Sequence, residues 1–190
     1  MPLRAVSRPA DGHAQHVVTL PKGSQASFSA ELEAFRRDVV ERALAKRFYG
    51  EHPFELTSTW VSRNINDMSE AFRFKSMLWH VDGAPPSTSK AILYLNDVNR
   101  ENGCMAVMRH NRTREVLKLQ PPHHLWGQNV FPNVPRLWMS LALRDGHVPE
   151  CLAGPAGTLI LFDVNIVHRG SRPAPGRFRD FVLWEFRRGK

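Results

Sequence analysis

The chain has 190 residues, of which 42% are hydrophobic and 23% charged, the range of an ordinary globular domain rather than of a disordered or membrane-embedded polypeptide. No stretch approaches the ~20 apolar residues that a membrane-spanning helix needs, and the opening MPLRAVSRPADGH lacks the apolar core of a secretory signal, so a cytoplasmic location is expected. The formal charge of +8 is concentrated near the C-terminus, where Arg169, Arg172, Arg177, Arg179, Arg187, Arg188 and Lys190 face only Asp180 and Glu185; no helix-turn-helix, zinc-finger or RNP pattern accompanies this patch, so nucleic acid is not the expected partner.

Along the chain, residues 1–26 carry Pro, Gly, Ser and Gln without periodicity and read as a loose lead-in, with a short strand at His16–Leu20. Residues 28–48 predict an amphipathic helix: Leu32, Phe35, Val39 and Phe48 share a face, Ser29 stands at the N-cap and Gly50 provides a stop. Short segments of strand propensity follow at Ser58–Arg63, Phe72–Trp79, Ala91–Leu95, Cys104–Met108, Thr158–Phe162 and Arg179–Phe186, separated by Gly/Pro turns. One helix followed by many short strands predicts an antiparallel sandwich or barrel over residues 58–186, within a single domain 1–190. Residues 109–150, with Pro121, Pro122, Pro132 and Pro135 and few strands, read as a long insertion into that core. Cys104 and Cys151 have neither zinc spacing nor the numbers of a disulfide framework, and are expected as reduced, inert thiols.

The chemistry centres on Leu78-Trp79-His80-Val81-Asp82, read as the end of an apolar strand. Residues two apart on a strand point to one side, so His80 and Asp82 can offer an imidazole and a carboxylate to a common point. His168, read as the end of another apolar strand, supplies the second imidazole. Two histidines and one carboxylate make the facial triad that leaves positions open on Fe(II) for oxygen chemistry. A His-x-Asp pattern alone arises easily by chance; its weight here comes from two strand ends, a Gly-Pro-x-Gly turn before the second, and arginines after His168.

The segments Lys75–Asp82, Lys90–Val98 with Glu101-Asn102-Gly103, and Gly157–Asp163 with His168-Arg169-Gly170 and Arg177-Phe178-Arg179 closely resemble the phytanoyl-CoA dioxygenase-like oxygenases, from about Trp60 to Phe186. The resemblance implies a double-stranded β-helix, cupin-like in form, that holds Fe(II) and 2-oxoglutarate and reacts with O2. It also implies an arginine eleven positions after the distal histidine, here Arg179, that holds the far carboxylate of 2-oxoglutarate. A guanidinium suits that task because it can donate two parallel hydrogen bonds. Arg177, two residues earlier and on the same side of a strand, is the alternative.

Around this constellation, Lys90 and Tyr94 share a strand face and are candidates to reach the cosubstrate, against the plainer roles of an exposed lysine and a packed tyrosine. Trp79 stands to wall the substrate pocket or to serve as core. Asp163 and Asn165 are candidates to orient His168, or to cap a turn. Arg109-His110 replaces the Ser-His common in the family, which together with the short region before the iron motif leaves the family's acyl-CoA substrate without support here. His123, His124 and His147 read as surface residues. The expected activity is hydroxylation or desaturation at a C–H bond of a small organic substrate, an anionic one being compatible with the basic patch, with succinate and CO2 as coproducts; in related halogenases a small residue replaces the carboxylate held here by Asp82. The alternatives are a cupin-like module that merely holds a metal, and a nucleic-acid-directed oxygenase.

Overall fold

The computed structural model describes residues 25–66, 77–82, 87–118, 139–140 and 143–189. The expected strand at His16–Leu20, most of Phe72–Trp79 and most of the 109–150 insertion, including His123 and His124, lie outside them.

Helical structure runs without a break from α1 (Gln25–Phe35) through a π-helical turn at Arg36–Glu41, α2 (Arg42–Leu44) and a second π-helical turn at Ala45–Tyr49. Its start lies before Ser29, which therefore sits inside the helix rather than at its cap. Gly50, at φ 61°, ends it, with its amide bonded five residues back to the Ala45 carbonyl at 2.7 Å. The buried face also differs from the expected one. Leu32 and Phe35 pack as anticipated, but Val40, Leu44 and Tyr49 follow them inward, while Val39 and Phe48 are exposed. The π-helical turns explain the shift: each takes more residues per turn than an α-helix, so the buried stripe advances by five from Phe35 to Val40 and from Leu44 to Tyr49.

Among the described residues seven strands follow: β1 (Phe54–Ile65), β2 (Thr88–Tyr94), β3 (Met105–Val107), β4 (Glu150–Leu152), β5 (Leu159–Asp163), β6 (His168–Gly170) and β7 (Phe178–Arg188), with a helix, α3 (His110–Lys118), between β3 and β4. They form two antiparallel sheets, one in the order β1-β7-β2-β5 and the other in the order β4-β3-β6. The sequence signal missed β4 and β6 because each is three residues long and, unlike the equally short β3, lies in no apolar run that would mark it.

Alternation along β7 and β2 divides the larger sheet into two faces. Val182, Trp184 and Phe186, with Ala91 and Leu93, turn outward onto the N-terminal helix and bury Val40, Leu44 and Tyr49. The Tyr49 hydroxyl ties this layer to the sheet through Ser89 Oγ at 2.7 Å and the Phe186 carbonyl at 3.1 Å. The inner face brings Ile92, Tyr94, Phe162, Phe181 and Leu183 against Met105 and Val107 of the smaller sheet. Two sheets closed over a shared interior make a double-stranded β-helix, or jelly roll, the fold that the family resemblance implies and one form of the sandwich or barrel that the strand pattern predicts. A third cluster of Val81, Met108, Val116, Met139 and Val167, with Trp79 against it, backs the smaller sheet from the side of α3.

Cys104 and Cys151 are not reduced thiols but form a disulfide, with Cα atoms 5.7 Å apart. Cys104 precedes β3 and Cys151 lies in β4, and pairing of Ala106 with Cys151 brings them together. Their 47-residue separation hid this proximity from the sequence.

Candidate active site

His80 and His168 meet as a cross-strand pair. His80 N–H donates to the His168 carbonyl at 3.0 Å, and His168 N–H returns a bond to the His80 carbonyl at 2.9 Å. Neither histidine stands at the end of a long strand as expected. His80 forms a single bridge on the edge of the smaller sheet; β5 ends at Asp163, and after a turn His168 opens β6. The Asp82 amide continues this edge with a bond to the Val164 carbonyl at 3.1 Å. The segment is thus extended, and His80 and Asp82 face one side as alternation requires.

Both imidazoles are oriented in the same way. His80 Nδ1 lies 2.7 Å from the Leu78 carbonyl and His168 Nδ1 2.8 Å from the Ile166 carbonyl. A carbonyl only accepts, so each Nδ1 carries the proton and each Nε2 presents a lone pair. Those lone pairs point at one carboxylate oxygen, Asp82 Oδ1, at 3.3 Å from His80 and 3.7 Å from His168. The three ligand atoms lie within 4.8 Å of one another. Three acceptors converging in a buried place repel one another unless a cation sits between them, and the donor set suits a divalent transition metal with positions to spare.

The electrostatics agree. Burial pushes the Asp82 carboxyl upward, but His80, Lys90 and His168 outweigh it and hold the group well below the usual carboxylate range. Burial, and then the neighbouring His80, push His168 down to about 4, against the opposing pull of Asp82. Near neutral pH the cluster therefore offers an ionised carboxylate and an unprotonated His168, the forms that bind metal.

Arg179 lies on the inner face of β7 opposite Asn64 of β1, in a register fixed beside it by the two-pronged Arg63–Asp180 ion pair at 2.7 and 2.6 Å. Only 5% of it is exposed. Its Nη1 donates to the Gly103 carbonyl, its Nε has no partner, and among the described residues no carboxylate reaches it. Gly103 is required at that place: φ is 76°, and a Cβ would meet the Ser171 carbonyl oxygen at 2.4 Å. Tyr94 stands beside the guanidinium, whose charge works against the upward push of burial on the phenol, and its hydroxyl donates to the Leu152 carbonyl at 2.8 Å. A buried guanidinium without a counter-ion is costly, and a carboxylate is the group whose geometry matches its paired donors.

Other residues fall elsewhere. Arg177 precedes β7, is mostly exposed and lies 3.6 Å from Glu101. Arg109 is exposed and paired with Glu150, and His110 opens α3 at the surface. Trp79 turns away from the ligand face; because His80 opposes His168, it stands across from Arg169, whose guanidinium covers its ring at 4.5 Å. Asp163 Oδ1 accepts the Asn165 amide at 2.8 Å and caps the turn before His168, while the atom facing His168 Nδ1 is the Ile166 carbonyl. Lys90 reaches Asp82 Oδ2 at 2.5 Å. His147 is half-buried, and among the described residues its Nδ1 has no partner. Sequence reasoning missed the Leu78, Ile166 and Gly103 carbonyls, since backbone acceptors leave no mark in residue identity. It also passed over Thr113, whose buried hydroxyl accepts the Val167 amide at 3.0 Å and braces the approach to His168, and Glu185, whose placement opposite Lys90 depends on register.

A double-stranded β-helix carrying two histidines and an aspartate at one end, with a buried arginine beyond them, defines a class of metal-dependent oxygenase folds. The sequence profile of phytanoyl-CoA dioxygenase (PhyH) matches residues 13–179, and the chain belongs to that family. Among solved structures it is similar to EvdMO1 (20% identity, TM-score 0.55, covering 85% of this chain and 33% of that one). It is similar to EctD from S. alaskensis, solved with 2-oxoglutarate and 5-hydroxyectoine (13% identity, TM-score 0.59, 86% and 54%). It also resembles SnoN, an α-ketoglutarate-dependent epimerase from nogalamycin biosynthesis (16% identity, TM-score 0.51, 89% and 75%). At these identities the likeness establishes the fold, and the chain spans a third of the length of EvdMO1 and about half that of EctD. No curated protein sequence matches.

Proposed function

We propose that this protein is an Fe(II)- and 2-oxoglutarate-dependent oxygenase that hydroxylates a C–H bond of a small organic substrate, releasing succinate and CO2, with the whole chain acting as one oxygenase domain. The observation that carries the reading is the presence of two groupings in one interior: three acceptor atoms within 4.8 Å of one another, and a buried guanidinium that meets no carboxylate among the described residues. Fe(II) completes the first and the far carboxylate of 2-oxoglutarate the second. When bound, the iron and its cosubstrate activate O2 for attack on an unactivated C–H bond.

The chain's own residues set the stage for that step. His80, Asp82 and His168 hold the metal from one side, and the Leu78 and Ile166 carbonyls fix the imidazole tautomers. Arg179 anchors the cosubstrate from the far end, with Tyr94 closing the pocket beside it. The inner-face residues Ile92, Phe162, Phe181 and Leu183 keep water from the interior between them. Supplying Fe(II), ascorbate, O2 and 2-oxoglutarate with a panel of small organic acids and amines tests the reading. Succinate formation coupled to a product heavier by one oxygen atom supports it; absence of succinate from the iron-loaded protein refutes it, and succinate with a product of unchanged mass refutes hydroxylation.

A further inference from the structure

We infer that Lys90 is a positioning residue of the metal centre, one that occupies the second oxygen of Asp82 and so keeps this carboxylate a one-oxygen ligand. The inference rests on the reading of His80, Asp82 and His168 as iron ligands, and it assigns Lys90 a task other than gripping the cosubstrate.

The two oxygens of Asp82 have separate surroundings. Oδ1 faces both imidazoles, whereas Oδ2 lies 2.5 Å from Lys90 Nζ. Lys90 is held in turn: it stands on β2 directly across from Glu185 on β7, and its Nζ lies 3.5 Å from Glu185 Oε2. The side chains of Lys90 and Asp82 are each 15% exposed, so the contact is sheltered from competing water. Strand pairing sets the lysine's origin, and the glutamate limits where its end can swing.

Charge argues against a cosubstrate role. One positive charge faces two negative ones, so the Asp82–Lys90–Glu185 trio is net negative and offers no spare attraction to an incoming dianion. Arg179, which meets no carboxylate among the described residues, does. What Lys90 controls is how many metal positions the aspartate fills. Three protein atoms on a six-coordinate ion leave two positions for a chelating 2-oxo acid and one for O2. If Oδ2 were free to turn onto the metal, the aspartate would take a fourth position and the diatomic would have to displace it.

The test uses nitric oxide as a stand-in for O2, with Fe(II) and 2-oxoglutarate on the full chain, anaerobically, read by the visible chelate band and by electron paramagnetic resonance. Lys90→Met is expected to retain one Fe(II) per chain and the 2-oxoglutarate band, while the nitric oxide affinity of that complex falls on the order of tenfold, the usual scale for losing an outer partner of a metal ligand. Lys90→Arg should restore it, and Glu185→Gln should weaken it in the same direction. Unchanged nitric oxide binding in Lys90→Met overturns the inference. So does weakened 2-oxoglutarate binding with nitric oxide unaffected, which would make Lys90 a cosubstrate ligand, and so does loss of the metal. If Lys90→Met does not fold, Glu185→Gln decides the matter, since an unchanged nitric oxide affinity there removes the anchored lysine from the argument. Failure of wild type to form the chelate band condemns the cosubstrate reading instead and is thereby distinguished from failure of the lysine's role.

Discussion

His80 and His168 exchange both of their backbone hydrogen bonds, at 3.0 and 2.9 Å, so two proposed ligands separated by 88 positions along the chain are direct neighbours across a ladder, with ring centroids 4.2 Å apart. The proposed metal site is thus built on backbone pairing rather than on loop conformation. Replacing His80, Asp82 or His168 singly with Ala should remove iron while leaving the fold, with affinity falling by more than the roughly 10–100-fold typical of outer partners. Iron analysis after desalting, alongside circular dichroism, checks this; full stoichiometry in all three variants would refute the ligand set.

Metal-free protein should lose stability on mild acidification. The folded state lowers the pKa of His168 to about 4 from its ordinary 6.5, so between those values the unfolded chain binds more protons. Stability therefore rises with pH across this window and falls as pH is lowered through it, by up to about 3 kcal/mol from this group. Asp82, also depressed, adds a loss of the same sign at lower pH. Urea melts of chelator-treated protein at pH 7 and pH 5 measure the difference, and equal midpoints would contradict it.

Much of this could be read before any coordinates. The His-x-Asp segment and the distal histidine stand out because chemistry needs those residue types, Arg179 through the family resemblance that places an arginine eleven positions after the distal histidine, and the strands around Ala91–Leu95 and Arg179–Phe186 through their runs of strand-forming residues. Three things could not be read. Local winding moved the buried helix face from Val39 to Val40, and the π-helical turns responsible have no residue signature. Register decided that Lys90 meets Glu185 and Asp82. Pairing across the smaller sheet joined two cysteines that spacing left apart.

The Cys104–Cys151 bond should support both stability and the proposed cosubstrate cradle. Cys104 follows Gly103, whose carbonyl takes Arg179, and Cys151 precedes Leu152, whose carbonyl takes Tyr94. Cross-linking across 47 residues restricts the unfolded chain, and its loss should cost about 2–4 kcal/mol. Urea unfolding of Cys104→Ser/Cys151→Ser against wild type under non-reducing conditions tests this; a midpoint that does not move would exclude a stabilising bond.

The most direct test of the central claim is an anaerobic titration of 2-oxoglutarate into the Fe(II)-loaded protein, followed by the visible charge-transfer band of the chelate. Arg179 is a buried guanidinium that meets no carboxylate among the described residues, and Arg177 an exposed one beside Glu101. Arg179→Lys should weaken binding by tens- to thousands-fold, the effect of about 2–5 kcal/mol for a lost partner of a buried charge. Arg177→Lys should change it by less than about fivefold, as for an exposed ion pair. A larger effect at Arg177 than at Arg179, or no band in the wild type at saturating cosubstrate, would contradict the account.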